Sequence, residues 1–213
     1  MRRLTKSCLR IIKMADRAGY THKVSDSLRS YAEADVAFIP GVMIRCSIEK
    51  GKIYTLNLYD VFAIGCNLSV RNVTGEELLS RIAGSLAELP AESVMFCQIS
   101  GASYGYLKEF TLSDDGTKVY TIINPVVNGE PLIPEKTYRM AFCGAPGETE
   151  NAEPLISTME EAVAAMGDYL KSGKAVILPD VPIPDNRIVP MEEIPADAVL
   201  YEIKSEAENK EDE

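Results

Sequence analysis

Asn128-Gly-Glu-Pro-Leu-Ile-Pro-Glu-Lys-Thr-Tyr-Arg-Met-Ala141 is the stretch on which the fold turns. Asn128-Gly129 is a hairpin turn, because both residue types accept the positive φ such a turn needs. Lys136 to Phe142 then reads as a strand. Upstream, Gly101 to Leu112 and Lys118 to Val127 read as a β pair. Asp114-Asp115-Gly116 is the turn between them. Extended segments linked by such turns predict a sheet.

Moving toward the amino terminus, Thr74 is a good N-cap and Glu77 completes a capping box. Leu78, Leu79, Ile82, Ala83 and Leu86 form the apolar face of the helix so opened, and Pro90 ends it. Asn67 to Val73 and Val94 to Ile99 read as strands, and Lys52 to Asn57 as a short extended piece. Asp35-Val-Ala-Phe-Ile39 is an apolar run closed by Pro40-Gly41, a buried strand entering a turn. Leu4, Cys8, Ile11 and Ile12, with Leu28 and Ala32, predict amphipathic helix on either side of Gly19.

Toward the carboxy terminus, Ser157 and Glu160 form a second capping box. Met159, Ala162, Val163, Met166 and Leu170 line one helical face, with Gly173 as C-cap. The prolines at 179, 182, 184, 190 and 195 mark an extended exit that cannot be a central strand. The expected architecture is a single α+β domain, a mixed β-sheet covered by capped helices. An amino-terminal helical segment (1–23) precedes the domain (24–190). A carboxy-terminal extension with an acidic tail (191–213) follows it.

Composition narrows the functions available. The chain has 213 residues, 46% of them hydrophobic, enough for one sizeable core. Its formal net charge of −10 disfavours a nucleic-acid partner. No apolar run spans a bilayer, so no membrane partner is expected. The basic opening lacks an unbroken apolar stretch and a cleavage site, so no signal peptide is read and a cytoplasmic location is favoured. Five cysteines without metal-type spacing read as small buried hydrophobes in a reducing compartment.

The single histidine, His22, cannot supply a His-rich dimetal site or a Ser-His-Asp triad. Glu76/Glu77 and Glu160/Glu161 sit in first helical turns, where carboxylates favour the helix dipole. No catalytic residue, metal or cofactor is therefore expected in this chain.

Several blocks occur in a telling order. They are Ala34-Asp-Val-Ala-Phe-Ile-Pro-Gly-Val-Met-Ile-Arg45, Ala63-Ile-Gly-Cys-Asn67, Thr74-Gly-Glu-Glu-Leu78, the Asn128 to Ala141 block, a helix over Thr158 to Leu170, and Asn186-Arg-Ile188. In these the chain resembles the carboxy-terminal, substrate-recognition domain of the 5′-nucleotidase and 2′,3′-cyclic phosphodiesterase family, from Val24 to Ile188. The resemblance implies that domain's fold. It also implies a division of labour: a separate amino-terminal domain holds two metal ions and hydrolyses, and this part grips the nucleotide. The chain would be non-catalytic alone. Its expected partners are a nucleoside or nucleotide and a separate metallophosphatase chain.

The resemblance also assigns site residues. Arg45 stands at the family's terminal loop arginine, a forked donor for phosphate or ribose. The alternative for Arg45 is a surface arginine paired with a carboxylate. Gly41 is the one glycine kept from three; Pro40 replaces an asparagine, and Val42 and Met43 replace the others. Ile64, followed by Gly65, stands where a phenylalanine stacks on the base. The second stacking phenylalanine falls on Ala145, and Phe142 lies three residues earlier, facing either a reshaped site or the core. The expected ligand-facing set is Gly41, Arg45, Ile64, Gly65 and Phe142. The base clamp is eroded on both sides, each lost stacking partner being worth about 1–3 kcal/mol. A second reading is a binding or scaffold module, with Val42, Met43 and Ile64 making the former pocket apolar for another small ligand or a protein.

Overall fold

Asp35 to Pro40 contains no charged residue except Asp35, and the fold is arranged around that fact. The computed structural model describes residues 21–46, 53–62, 67–89, 93, 95–143, 151–172 and 186–204. Strand β1 (Val36–Pro40) is buried along its whole length. Its side chains alternate between two cores. Ala37 and Ile39 enter one, and Val36 and Phe38 the other. A strand covered on both faces must be apolar at every position, which is why the run is continuous rather than alternating.

The first sheet has the order β3-β1-β8-β2-β9. Its other strands are β2 (Leu68–Thr74), β3 (Cys97–Ser100), β8 (Thr137–Cys143) and β9 (Glu153–Ile156). β1 and β8 are parallel, with Phe38 opposite Phe142; β2 lies antiparallel to β8 and β3 antiparallel to β1. One face is covered by α1 (Thr21–Ala32), α2 (Thr55–Val61) and α4 (Met159–Lys171). The other face packs against α3 (Gly75–Ser85) and the second sheet.

The second sheet has the order β10-β4-β6-β11, with β5 and β7 as short additions to β6. These strands are β4 (Ala102–Leu107), β5 (Thr111–Leu112), β6 (Lys118–Val127), β7 (Glu130–Pro131), β10 (Ile188–Met191) and β11 (Leu200–Lys204). Tyr104, Tyr106 and Tyr120 are buried in the second core. The Tyr120 hydroxyl donates to the Ala87 carbonyl at 3.0 Å, tying the end of α3 to this sheet.

The fold is thus α+β, with mixed sheets and capped helices, as the sequence predicts. The Thr74 capping box is present: Thr74 Oγ1 accepts from the Glu77 N–H at 3.2 Å, and Glu77 Oε2 from the Thr74 N–H at 2.7 Å. Asn128 and Gly129 have φ of 52° and 86°, the hairpin geometry expected of them. Pro190 sits in β10 at an outer edge of its sheet, where a strand tolerates a missing N–H. Among the described residues, no helix is long and apolar enough to cross a membrane.

Three details differ from expectation. The extended piece expected over 52–57 gives way to α2 from Thr55. Leu58, Val61 and Phe62 are buried at helical spacing, and the Tyr54 N–H donates to Asn57 Oδ1 at 2.9 Å to cap the turn. The late capping box is Thr158 with Glu161, one residue beyond the expected pair. Glu161 Oε2 reaches both the Ser157 and Thr158 N–H groups, so the overlapping Ser157/Glu160 spacing loses. Residues 200–204, set apart with the extension, form strand β11 against β6, with Tyr201 and Ile203 packed on the second core. The helix expected before Gly19 and the Gly173 cap lie outside the described residues.

Two glycines in this frame have opposite tolerances. Gly101 has φ +80°, and a Cβ there would stand 2.0 Å from the Asp35 carbonyl oxygen. Gly84, in the last turn of α3, has nothing within 4 Å of the same position. Gly101→Ala is expected to destabilise the domain by about 2–3 kcal/mol through strain and overpacking. Gly84→Ala is expected to stabilise it by about 0.5–1 kcal/mol, by raising helix propensity. Urea denaturation of both variants reads the two signs directly.

Candidate functional site

The parallel β1–β8 pairing gathers several strand ends on one side of the first sheet. Parallel strands end on the same side, so the chain leaves Pro40 and Cys143 at one edge of the first sheet. Leu68 pairs with Cys143 and with Ile156, and Cys97 pairs with Pro40. The turn after β1, the connection entering β2 and the loop after β8 therefore start or end at the same edge. Crevices outside the carboxyl ends of parallel strands are the usual ligand site of such sheets.

The turn after β1 is tied down by its backbone. The Gly41 N–H donates to the Phe96 carbonyl at 3.0 Å and the Ile44 N–H to the Gly41 carbonyl at 3.0 Å. Residues Gly41–Met43 form one turn of 3-10 helix. Ile44 bridges to Phe62, and the Arg45 N–H donates to the Val61 carbonyl at 2.6 Å. Gly41, Met43 and Ile44 are buried, Val42 is half-buried, and Arg45 is exposed. Among the described residues, no carboxylate lies within ion-pair distance of Arg45. Next to it, the Cys46 thiol donates to the Asp60 carbonyl at 3.0 Å. Burial pushes that thiol's pKa up, the Asp60 charge adds to this, and the Arg45 charge opposes it.

The predicted site residues separate on this geometry. Arg45 stands at that edge and is exposed. Gly41 is at the same edge, but its N–H is committed to Phe96. Ile64 and Gly65 lie outside the described residues, between Phe62 and Asn67, as does Ala145 beyond Cys143. Phe142 is 1% exposed and belongs to the core under α3. Its ring lies 5.3 Å from the guanidinium carbon of Arg81 and 5.9 Å from that of Arg71. Of the two places weighed for Phe142, the structure gives the core, because its side chain alternates onto the α3 face. Among the described residues, no group of three His, Cys, Asp or Glu side chains is placed to hold a metal ion.

Sequence reasoning missed a buried charge cluster at the opposite edge. Asp26 of α1 accepts from both terminal guanidinium nitrogens of Arg187, at 2.6 and 3.1 Å, and from Ser100 Oγ at 2.6 Å. Ser100 Oγ in turn accepts from Arg29 Nε at 2.9 Å. Arg187 also donates to the Ile99 carbonyl at 3.1 Å. Nearby, Asp35 accepts from the Arg139 N–H at 2.9 Å and from Asn128 Nδ2 at 3.2 Å. The cluster clamps α1, β3 and the start of β10. Burial pushes the Asp26 carboxyl up. The hydrogen bonds from Arg187 and Ser100, with the charges of Arg187 and Lys23, outweigh that and hold it below its ordinary range.

These features define an α+β domain in which several strand ends gather at one sheet edge, where Arg45 is exposed. The family model described as 5′-nucleotidase, C-terminal domain, matches residues 18–143, more than half of the chain. The chain belongs to that family. Similar solved structures are the 5′-nucleotidase precursor of Thermus thermophilus (23% identity, TM-score 0.58, 81% of this chain and 35% of that one), the sulfate thiohydrolase SoxB of Thermus thermophilus (19%, 0.58, 81% and 32%) and a putative 5′-nucleotidase of Staphylococcus aureus (16%, 0.58, 80% and 36%). At these identities the likeness shows the fold. The chain spans about a third of the length of each. No curated protein matches it.

The clamp makes an acid-sensitive contribution with a defined sign. Because the folded carboxyl titrates below its ordinary value of about 4, its stabilisation is present above that value and lost as pH falls through the lowered one. Asp26→Asn is expected to cost about 3 kcal/mol near neutral pH, since it leaves Arg187 without its opposite charge. The difference between wild type and variant should shrink steadily below about pH 4. Denaturant titrations at neutral and acid pH measure both.

Proposed function

We propose that this domain is a nucleotide-recognition module of 5′-nucleotidase type that supplies no hydrolytic group of its own, and that it works with a metallophosphatase chain carrying the two metal ions. The observation that carries this reading is Arg45: exposed, without a carboxylate among the described residues, on the edge where the family-like loops meet, and at the family's arginine position. A guanidinium so placed offers charge-assisted, forked donors to a phosphate or ribose. Family membership and the single histidine support the division of labour.

Recognition here is remodelled rather than intact. The Gly41, Ile44 and Arg45 N–H groups are consumed inside the protein, and Val42 and Met43 carry side chains. With no flat ring at position 64, affinity for the base is reduced. A second reading, a scaffold or small-ligand module, is favoured by the apolar turn itself: Met43 and Ile44 are buried and Val42 only half-exposed.

Calorimetric titration of the purified chain with AMP, adenosine and other nucleotides tests the proposal. Binding in the micromolar to low-millimolar range is expected for AMP, and Arg45→Ala should weaken it roughly ten- to hundredfold, the worth of a charge-assisted hydrogen bond. Phosphate release from AMP is expected to be undetectable for the chain alone, with or without divalent metal. It should appear when a copurifying metallophosphatase chain is added. Silence for every nucleotide from a folded sample would move the scaffold reading to first place.

A further inference from the structure

We propose that Arg71 and Arg81 form an anion site that takes a phosphate-sized oxyanion beside the Phe142 ring. Neither residue belongs to the turn that carries Arg45, and the site does not rest on the nucleotide reading. Along β2, Leu68 and Val70 enter the first core and Val73 the second. Strand alternation therefore turns Ser69 and Arg71 toward α3. Ser69 lies opposite Phe142 of β8, and both are buried. Arg71, two positions along, reaches that ring, its guanidinium carbon 5.9 Å from the centroid. Arg81 comes from α3, which covers the same face of the sheet, and its guanidinium carbon lies 5.3 Å from the same centroid. Two cations thus share one aromatic ring.

Arg71 supplies the unsatisfied donors. Its side chain is 33% exposed, yet Nε is buried with no hydrogen-bond partner among the described residues. Buried polar groups are nearly always paired with protein, water or an ion, so an orphaned one asks for an explanation. The carboxylate nearest to Arg71 is that of Glu77, 3.9 Å from Nη2. Glu77 is already engaged, its other oxygen accepting from the Thr74 N–H at 2.7 Å. A guanidinium carries five N–H donors in a fixed fork, and a ring face does not replace an oxygen acceptor for them. Arg81 supplies the second positive charge. Two like charges beside one buried ring repel each other. A phosphate dianion relieves that repulsion and accepts forked donors on more than one of its edges, which a chloride cannot do.

Thermal denaturation of the full chain in sodium phosphate and in sodium chloride of equal ionic strength tests this. Phosphate should raise Tm above its chloride value by about 4–8 °C once it exceeds its Kd about thirtyfold. Phosphate also stabilises proteins by exclusion from their surface, so Arg71→Met, which keeps the apolar stem, supplies the baseline. The excess rise should vanish in Arg71→Met and in Arg81→Met, and persist in Arg45→Ala. Should Arg71→Met fail to fold, Arg71→Lys keeps the charge and loses the fork, and is expected to weaken phosphate about tenfold. Glycerol phosphate in the same assay separates the two sources of the ligand: an equal rise assigns the site to phosphate esters and a smaller one to the free ion, and both support it. Equal Tm in the two salts, or an excess rise that survives Arg71→Met, overturns the proposal. An excess that disappears in Arg45→Ala instead would belong to the edge where β1 ends, and would overturn it too.

Discussion

The parallel pairing of β1 with β8 is the constraint from which the rest follows. β1 enters the first sheet between β3 and β8 and is buried on both faces. Two cores form because one strand supplies side chains to each. The same pairing sends Pro40 and Cys143 to one edge, and the antiparallel β2 brings Leu68 back to it. The gathering of these strand ends at one edge is therefore a consequence of strand direction, whatever side chains occupy the loops.

The opposite edge solves a different problem. There the chain must hold α1, the end of β3 and the start of β10, which come from distant parts of the sequence. Asp26 and Arg187 do this with a two-pronged ion pair across 161 residues. Burying a carboxylate is unfavourable by itself, and here the Arg187 pair, the Ser100 hydroxyl and the Lys23 charge together offset it. Such an arrangement ties these three elements to one geometry. It fixes where β10 lies, and β10 closes one edge of the second sheet.

Most of the fold was legible because its signals are local. The Thr74 capping box needs four residues, the Asn128-Gly129 turn needs two, and β1 announces itself by an unbroken apolar run. What was missed depends on distance or competition. In α2, the alternating look of residues 52–57 competes with Leu58, Val61 and Phe62, which lie beyond that window and decide the helix by burial. β11 hides beside an acidic tail, although Tyr201 and Ile203 alternate inward with Glu202 and Lys204 outward. The Asp26 clamp has no local signature at all. At the edge where β1 ends, the turn was legible from Pro40-Gly41. Phe142 was ambiguous until strand phase settled which face it takes.

The turn after β1 shows why its backbone does not depend on particular side chains. A turn needs glycine only where φ is positive or backbone must approach closely. Neither Val42 nor Met43 is among the residues with positive φ, so the turn after β1 accepts side chains without strain. Its shape is held instead by three backbone hydrogen bonds, from Gly41, Ile44 and Arg45. Those bonds are indifferent to side-chain identity. They also withdraw the N–H groups of all three residues from any ligand. In this turn the polar contacts still open are those of side chains, and the charged one among residues 40–45 is Arg45. A domain with net charge −10 presents an unfavourable field to an anion at long range. Any anion that met this turn would find charge-assisted donors on the Arg45 side chain, because the backbone N–H groups of Gly41, Ile44 and Arg45 are already committed within the protein.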